Sequence, residues 1–164
     1  MNTALQPISK FHSLSFTLHI TMQHPSPLLD QYLAELYSLR RSDAVPGLER
    51  AQELASLLEN PHTRFPSVHI AGTNGKGTVS SVVASVLKEA GYKVGLYTSP
   101  HILRFNERIR VNGEAISDDA LLALVQEIMP LVRSQNAIFF EAATIMAFQH
   151  FANENVDVAV IETG

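Results

Sequence analysis

Apolar positions along this chain follow two rhythms, one helical and one extended, and their order predicts the fold. Leu29, Leu33, Leu36 and Tyr37 recur at helical spacing behind Pro27, which predicts an amphipathic helix from Pro27 to Arg40. A second helix is expected from Gly47 to Glu59, followed by a loop bracketed by Pro61 and Pro66. The short apolar run Val68-His69-Ile70-Ala71 then reads as a strand. Beyond it, Val79, Val82, Val83, Val86 and Leu87 mark a helix beginning near Lys76, and Gly91 stands where a C-terminal cap would stop it. Lys93 to Thr98 is the next strand. Strand, helix and strand at this length make a βαβ unit, whose right-handed crossover makes the two strands parallel.

The second half continues the alternation. Residues between Ile109 and Ile116 alternate around Asn112-Gly113, a pair suited to the positive φ angles of a tight hairpin. Ser117 is placed to cap a helix from Asp118 to Arg133, whose leading Asp118 and Asp119 complement the helix dipole. A further helix is expected from about Phe140 to Ala152. Val156 to Ile161 is apolar at nearly every position, as a strand covered on both faces would be. The fold class that follows is α/β, a mostly parallel sheet flanked by helices.

Between the first strand and its helix lies Gly72-Thr73-Asn74-Gly75-Lys76-Gly77-Thr78. Glycines there allow backbone N–H groups to turn onto phosphate oxygens, Lys76 brings a point charge to the outer phosphates, and Thr78 offers a hydroxyl to Mg²⁺ at a helix N-terminus. The loop predicts a nucleoside triphosphate ligand. Only Thr73 and Asn74 separate the first glycine from the Gly75-Lys76 pair, and Gly77 parts Lys76 from Thr78. That spacing excludes a generic kinase or GTPase.

Composition narrows the partners. Apolar residues make up 46% of 164 positions, charged residues 17%, and the formal net charge is −4, which favours neither disorder nor nucleic-acid binding. The absence of cysteine removes disulfides, thiolate metal sites and cysteine nucleophiles. No apolar run approaches the roughly 20 residues that span a bilayer, so no membrane partner is expected. Residues 1–21 contain no acidic residue and have Lys10 as their sole Lys or Arg, and they read better as the product of an early start codon, with Met22 the natural beginning, than as a targeting peptide. Residues 22–164 then form the single recognisable unit.

The shortened loop Ala71-Gly72-Thr73-Asn74-Gly75-Lys76-Gly77-Thr78 resembles the ATP loop of the Mur ligase superfamily. Tyr97-Thr98-Ser99-Pro100-His101 and Phe105-Asn106-Glu107-Arg108-Ile109 are similar to the Ser-Pro-His and Glu-Arg-Ile elements of its folate branch, the dihydrofolate synthases and folylpolyglutamate synthases. Gly47-Leu48-Glu49-Arg50, Phe140-Glu141 and Val158 to Gly164 fit the same branch in order. The resemblance implies a cytoplasmic, monomeric enzyme that uses ATP and Mg²⁺. In this branch a substrate carboxylate attacks the γ-phosphate, and the amine of L-glutamate displaces phosphate from the acyl phosphate to extend dihydropteroate or folate. It also implies that residues 22–164 match the front of an ATP-binding domain, without the family's second, glutamate-presenting domain, so the 164 residues alone are not expected to ligate. Another Mur-type amino-acid ligase and a non-catalytic nucleotide-binding fragment are the alternative readings.

Individual residues carry competing roles. The resemblance gives catalysis to Lys76 and Glu141, nucleotide binding to Gly72 through Thr78, and Mg²⁺ to Thr78, Ser99 and Glu141. On the residues alone, Ser99 is either a ligand beyond a strand's carboxyl end, where ligands of open α/β sheets gather, or a turn residue before Pro100. Glu141 stands among Ile138, Phe139, Phe140, Ala142 and Ala143. An unpaired carboxylate there would cost several kcal/mol, so either a cation meets it or it reaches water. His101, Arg104 and Arg108 form either an anion receptor or a solvated basic face. The remaining histidines lack metal-ligand spacing, and Glu162 either helps order a metal's water or is a structural acid. The resemblance also implies that the pterin lies near Val45 to Leu48 and Ile138 to Phe140, with Leu48, His101, Arg108, Phe139 and Phe140 as contacts.

Overall fold

The computed structural model describes residues 26–39 and 48–164; the expected boundary at Met22, Arg40 and the Val45–Gly47 stretch lie outside them. Helix α1 spans Pro27–Ser38 with Ser26 as its cap, and α2 spans Glu49–Leu57. Strand β1 (Ser67–Ile70) leads through the glycine loop into α3 (Lys76–Glu89) and then β2 (Val94–Tyr97). A 3₁₀ turn, Phe105–Arg108, precedes β3 (Ile109–Val111) and β4 (Glu114–Ala115). Helices α4 (Asp118–Ser134) and α5 (Phe139–Asn153) follow, and β5 is Val158–Glu162.

The sheet order is β1-β5-β2-β3-β4. Strands β1 and β2 both run parallel to β5, which lies between them, so the βαβ pair is parallel but not adjacent. The expected α/β sheet flanked by helices is present, with β1, β5 and β2 parallel and the hairpin β3-β4 adding antiparallel pairings beside β2, so the sheet is mixed. Its turn is built as its residues dictate, with Asn112 at φ 52° and Gly113 at φ 85°. Ser117 caps α4 by accepting from the Ala120 N–H at 3.2 Å. The last strand begins two residues later than expected because Val156 closes the turn after α5, its N–H donating to the Phe151 carbonyl.

Strand alternation divides the core into two layers. Leu96 and Val160 face α3, packing with Val83, Ala84 and Leu87, whereas Tyr97, Ala159 and Ile161 face the larger cluster formed with α1, α2, α4 and α5. Val79, Val82 and Val86 of α3 are exposed, because a single helix laid on that face of the sheet buries only the stripe turned toward it. Gly95 marks the tightest crossing. A Cβ there would stand 2.8 Å from ring carbons of Phe151, itself fully buried. Gly95→Ala is expected to cost about 1–3 kcal/mol by overpacking, read as a lowered urea midpoint; an unchanged midpoint would show that the ring can move.

Candidate functional site at the carboxyl edge of the parallel strands

The glycine loop and the segment after β2 meet at the carboxyl ends of β1, β5 and β2, where an open α/β sheet leaves its crevice. Gly75, at φ 75°, caps α3 in the left-handed region that favours glycine. Lys76 opens the helix, and its Nζ donates to the Gly72 carbonyl at 2.9 Å, closing the loop into a ring. Thr73 and Asn74 are exposed on that ring, and Thr78 is exposed on the first turn of α3.

Glu162 joins the parts. It ends β5 at 5% exposure, and its Oε2 accepts from the Ser99 N–H at 2.9 Å. Its Oε1 would lie 3.6 Å from a Cβ on Gly77. The carboxylate therefore lies between the glycine loop's helix and the Ser99 turn. The sequence left Glu162 as a choice between site and scaffold; its position under both segments ties it to the site, and the signal was a charged residue closing an otherwise apolar strand.

Glu141 takes a different neighbour from the one its resemblance implies. At the third position of α5, its Oε2 accepts from the Ile138 N–H at 2.9 Å. Arg50 of α2 then reaches it with two bonds, Nε to Oε2 at 3.1 Å and Nη2 to Oε1 at 3.0 Å. The charge among apolar residues is met by a guanidinium from 91 residues away in sequence. Beside this pair runs a cleft of about 160 Å³ between α2 and α5, lined by Leu48, Ala51, Gln52, Glu141, Thr144 and Phe148 among others.

The basic residues separate into two roles. Arg104 grips Asp118 with Nη2 at 2.6 and 2.8 Å from its two oxygens, so it pins the post-β2 segment to α4. Arg108 is buried, donates from Nε to His101 Nδ1 at 2.7 Å, and lies 5.1 Å from the Phe139 ring centre and 5.9 Å from that of Phe105. It is not part of a solvated face. Burial, then the neighbouring Arg108, pushes His101 below its ordinary value, keeping the ring neutral. Because Nδ1 accepts, Nε2 carries the proton and faces the Tyr37 hydroxyl at 3.4 Å. Tyr37 in turn stacks on Phe139 with ring centres 5.6 Å apart. Phe140 stands apart from this cluster, half exposed and against Gly164. The structure thus joins His101, Arg108 and Phe139, and sets Leu48 with Glu141 in the cleft.

Glu107 holds the Ser99-to-Arg104 segment in place. Its carboxylate accepts from the backbone N–H groups of Ile102, Leu103 and Arg104 at 2.8–2.9 Å. These bonds lower its pKa from 4.5 to about 2. A depressed acid adds stability that is complete above its unfolded value and fades as pH falls through the folded one. Urea midpoints of the protein and of Glu107→Gln are therefore expected to differ above pH 4.5 and to converge toward pH 2; a gap independent of pH would contradict the assignment.

No protein-family model matches the chain. A dihydrofolate synthase/folylpolyglutamate synthase of Bacillus subtilis (strain 168) is 44% identical over 126 residues, covering 73% of this chain and 29% of that protein. The solved folylpolyglutamate synthase of Thermotoga maritima is 42% identical with a TM-score of 0.76, over 83% of this chain and 33% of its own. An FPGS–AMPPCP–folate complex superposes with a TM-score of 0.79 at 37% identity, over 83% of this chain and 35% of its own. The chain thus spans about a third of the length of these relatives. Over the region it shares with them, the N-terminal part of those proteins, the chain is homologous to folylpolyglutamate synthases and dihydrofolate synthases.

Proposed function

We propose that these residues form the ATP- and Mg²⁺-binding face of a cytoplasmic, monomeric ligase that adds L-glutamate to dihydropteroate or folate through an acyl phosphate. The observation that carries the reading is the convergence of the closed Gly72–Lys76 loop, Ser99 and Glu162 at one edge of the sheet. In the proposed site the loop's N–H groups and Lys76 hold the phosphates, because backbone dipoles and a point charge are what an in-line phosphoryl transfer needs. Leu48 and Phe148, in the cleft beside Glu141, offer apolar surface of the kind that flat heterocycles occupy. The FPGS–AMPPCP–folate neighbour supports pairing a nucleotide site with a pterin cleft.

The residues present suit a hard divalent cation. Thr78 and Ser99 bring hydroxyls and Glu162 a carboxylate that already meets the Ser99 N–H, whereas Glu141 is met by Arg50 instead; Mg²⁺ takes oxygen ligands of this kind with one or two carboxylates and substrate phosphates. Among the described residues no three His, Asp or Glu side chains converge, so at most two carboxylates serve it. When bound, the cation would neutralise charge on the phosphates during transfer. Glu162 would keep Ser99 oriented toward it through the 2.9 Å bond to the Ser99 N–H.

Calorimetric titration with a non-hydrolysable ATP analogue and Mg²⁺, followed by folate, tests the binding reading. Saturable binding of both is expected, and absence of nucleotide binding would sink it. An ATP- and glutamate-dependent ligation assay then separates ligase from nucleotide-binding module.

A further inference from the structure

We infer that a second anion site, separate from the glycine loop, lies between α3 and the strands β2 and β3, where Lys88 and Arg110 receive a phosphate group. The distribution of charge points there first. Among the described residues Arg50, Arg64, Lys93, Arg104 and Arg133 each meet a carboxylate. Of the basic side chains left without one, Lys76 belongs to the glycine loop and Arg108 to the His101 cluster. The others, Lys88 and Arg110, line the same cavity. Two cations around one small cavity repel each other until an anion lies between them.

The cavity holds about 150 Å³. Clefts that enclose drug-sized ligands hold roughly 300–1,000 Å³, so this one suits a single phosphate group and not a nucleotide. Val94 and Leu96, both buried, form its floor. Its walls bring donors and no carboxylate: Glu89 and Glu114, each next in sequence to a lining residue, are not part of it. Arg110 donates from Nε to the Glu107 carbonyl at 3.0 Å, which fixes the guanidinium and leaves its Nη groups unspent among the described residues. Asn112 accepts at Oδ1 from the Val94 N–H at 2.9 Å, so its NH₂ is left to donate. Ser85 adds a hydroxyl from α3. A planar fork for two oxygens and a point charge for the third are the usual means of holding phosphate.

This place is distinct from the candidate nucleotide site. Lys76 opens α3 and Lys88 lies in its last turn, so roughly 18 Å of helix separate the two ammonium-bearing residues. Val94 is the first residue of β2, whereas the glycine loop and Ser99 stand at the carboxyl ends of the strands. Lys88 also offsets the negative end of the α3 dipole, which would otherwise oppose an anion there.

The test is an amide NMR titration of the isotope-labelled full chain with inorganic phosphate and, separately, with glycerol 3-phosphate, at an ionic strength held constant with chloride. Saturable shifts are expected at the Asn112 side-chain amide and at the Ser85 and Gly113 N–H signals, and they should persist in Lys76→Ala. Lys88→Gln, at an exposed position where the fold is not at stake, should weaken this binding about tenfold, as loss of one charge-assisted bond predicts. Arg110→Lys, which keeps the charge but not the fork, should weaken it less than Arg110→Gln. A stronger response to inorganic phosphate assigns free phosphate as the ligand; an equal or stronger response to the ester assigns a phosphomonoester. Parental phosphate affinity in Lys88→Gln and Arg110→Gln overturns the inference. So do shifts confined to Gly72–Thr78 and lost in Lys76→Ala, or a response that chloride reproduces.

Discussion

Lys76→Ala is expected to lose Mg-ATP binding by on the order of ten- to a hundredfold, the range that removal of a contact to a charged group gives. Lys76 is the sole cation between Gly72 and Thr78, and it projects from the helix start that the glycine loop feeds. Its ammonium rests on the Gly72 carbonyl. Two functions are therefore possible for one side chain, a staple across the loop and a counter-charge for phosphate. They differ in what they predict. The staple is a surface contact whose loss should shift stability little, since the loop is exposed. A phosphate contact shows as weakened nucleotide binding with the urea midpoint nearly unchanged. Calorimetry with a non-hydrolysable analogue decides it: undiminished affinity would leave Lys76 as a staple alone. Lys76→Arg should retain part of the affinity, because its charge reaches the phosphates but its wider fork fits the tight loop less well.

How much of this was legible in the residues depends on range. The elements were, within one or two positions at their ends, because helical and alternating apolar patterns are local. The glycine loop was also legible, since its turn, charge and hydroxyl lie within seven consecutive residues. What no local pattern carries is the order of strands. β5 enters between β1 and β2 although it is last in the chain, and only packing of α3 against one face and α5 against the other makes that slot. The counter-charge of Glu141 was hidden for the same reason. Its apolar neighbours announced that a cation was needed, but Arg50 stands 91 residues earlier and reads locally as one polar position on a short helix. Likewise Arg104 and Arg108 look alike in sequence, yet one is spent on Asp118 and the other is buried against His101 and two phenylalanines.

That buried cluster yields the largest expected loss of stability. Phe105 is 1% exposed, meets Phe139 edge-on at 6.3 Å between ring centres, and lies beside both His101 and the Arg108 guanidinium. It therefore supports the wall on which Arg108 and His101 are held, as well as filling the core beneath the post-β2 segment. Phe105→Ala removes the ring and leaves a cavity, at a cost of about 3–5 kcal/mol, a large part of the roughly 5–15 kcal/mol by which a domain is stable. Phe105→Leu should lose less, because much of the volume remains. A second readout separates loss of packing from loss of a surface contact. Burial is the main cause of His101's depressed pKa, so water entering the cavity should raise it toward its ordinary value, which an imidazole NMR titration would follow in any variant that still folds. An unchanged urea midpoint and an unmoved His101 titration would show that the ring is dispensable and that the segment is held by Glu107 and Arg104 alone.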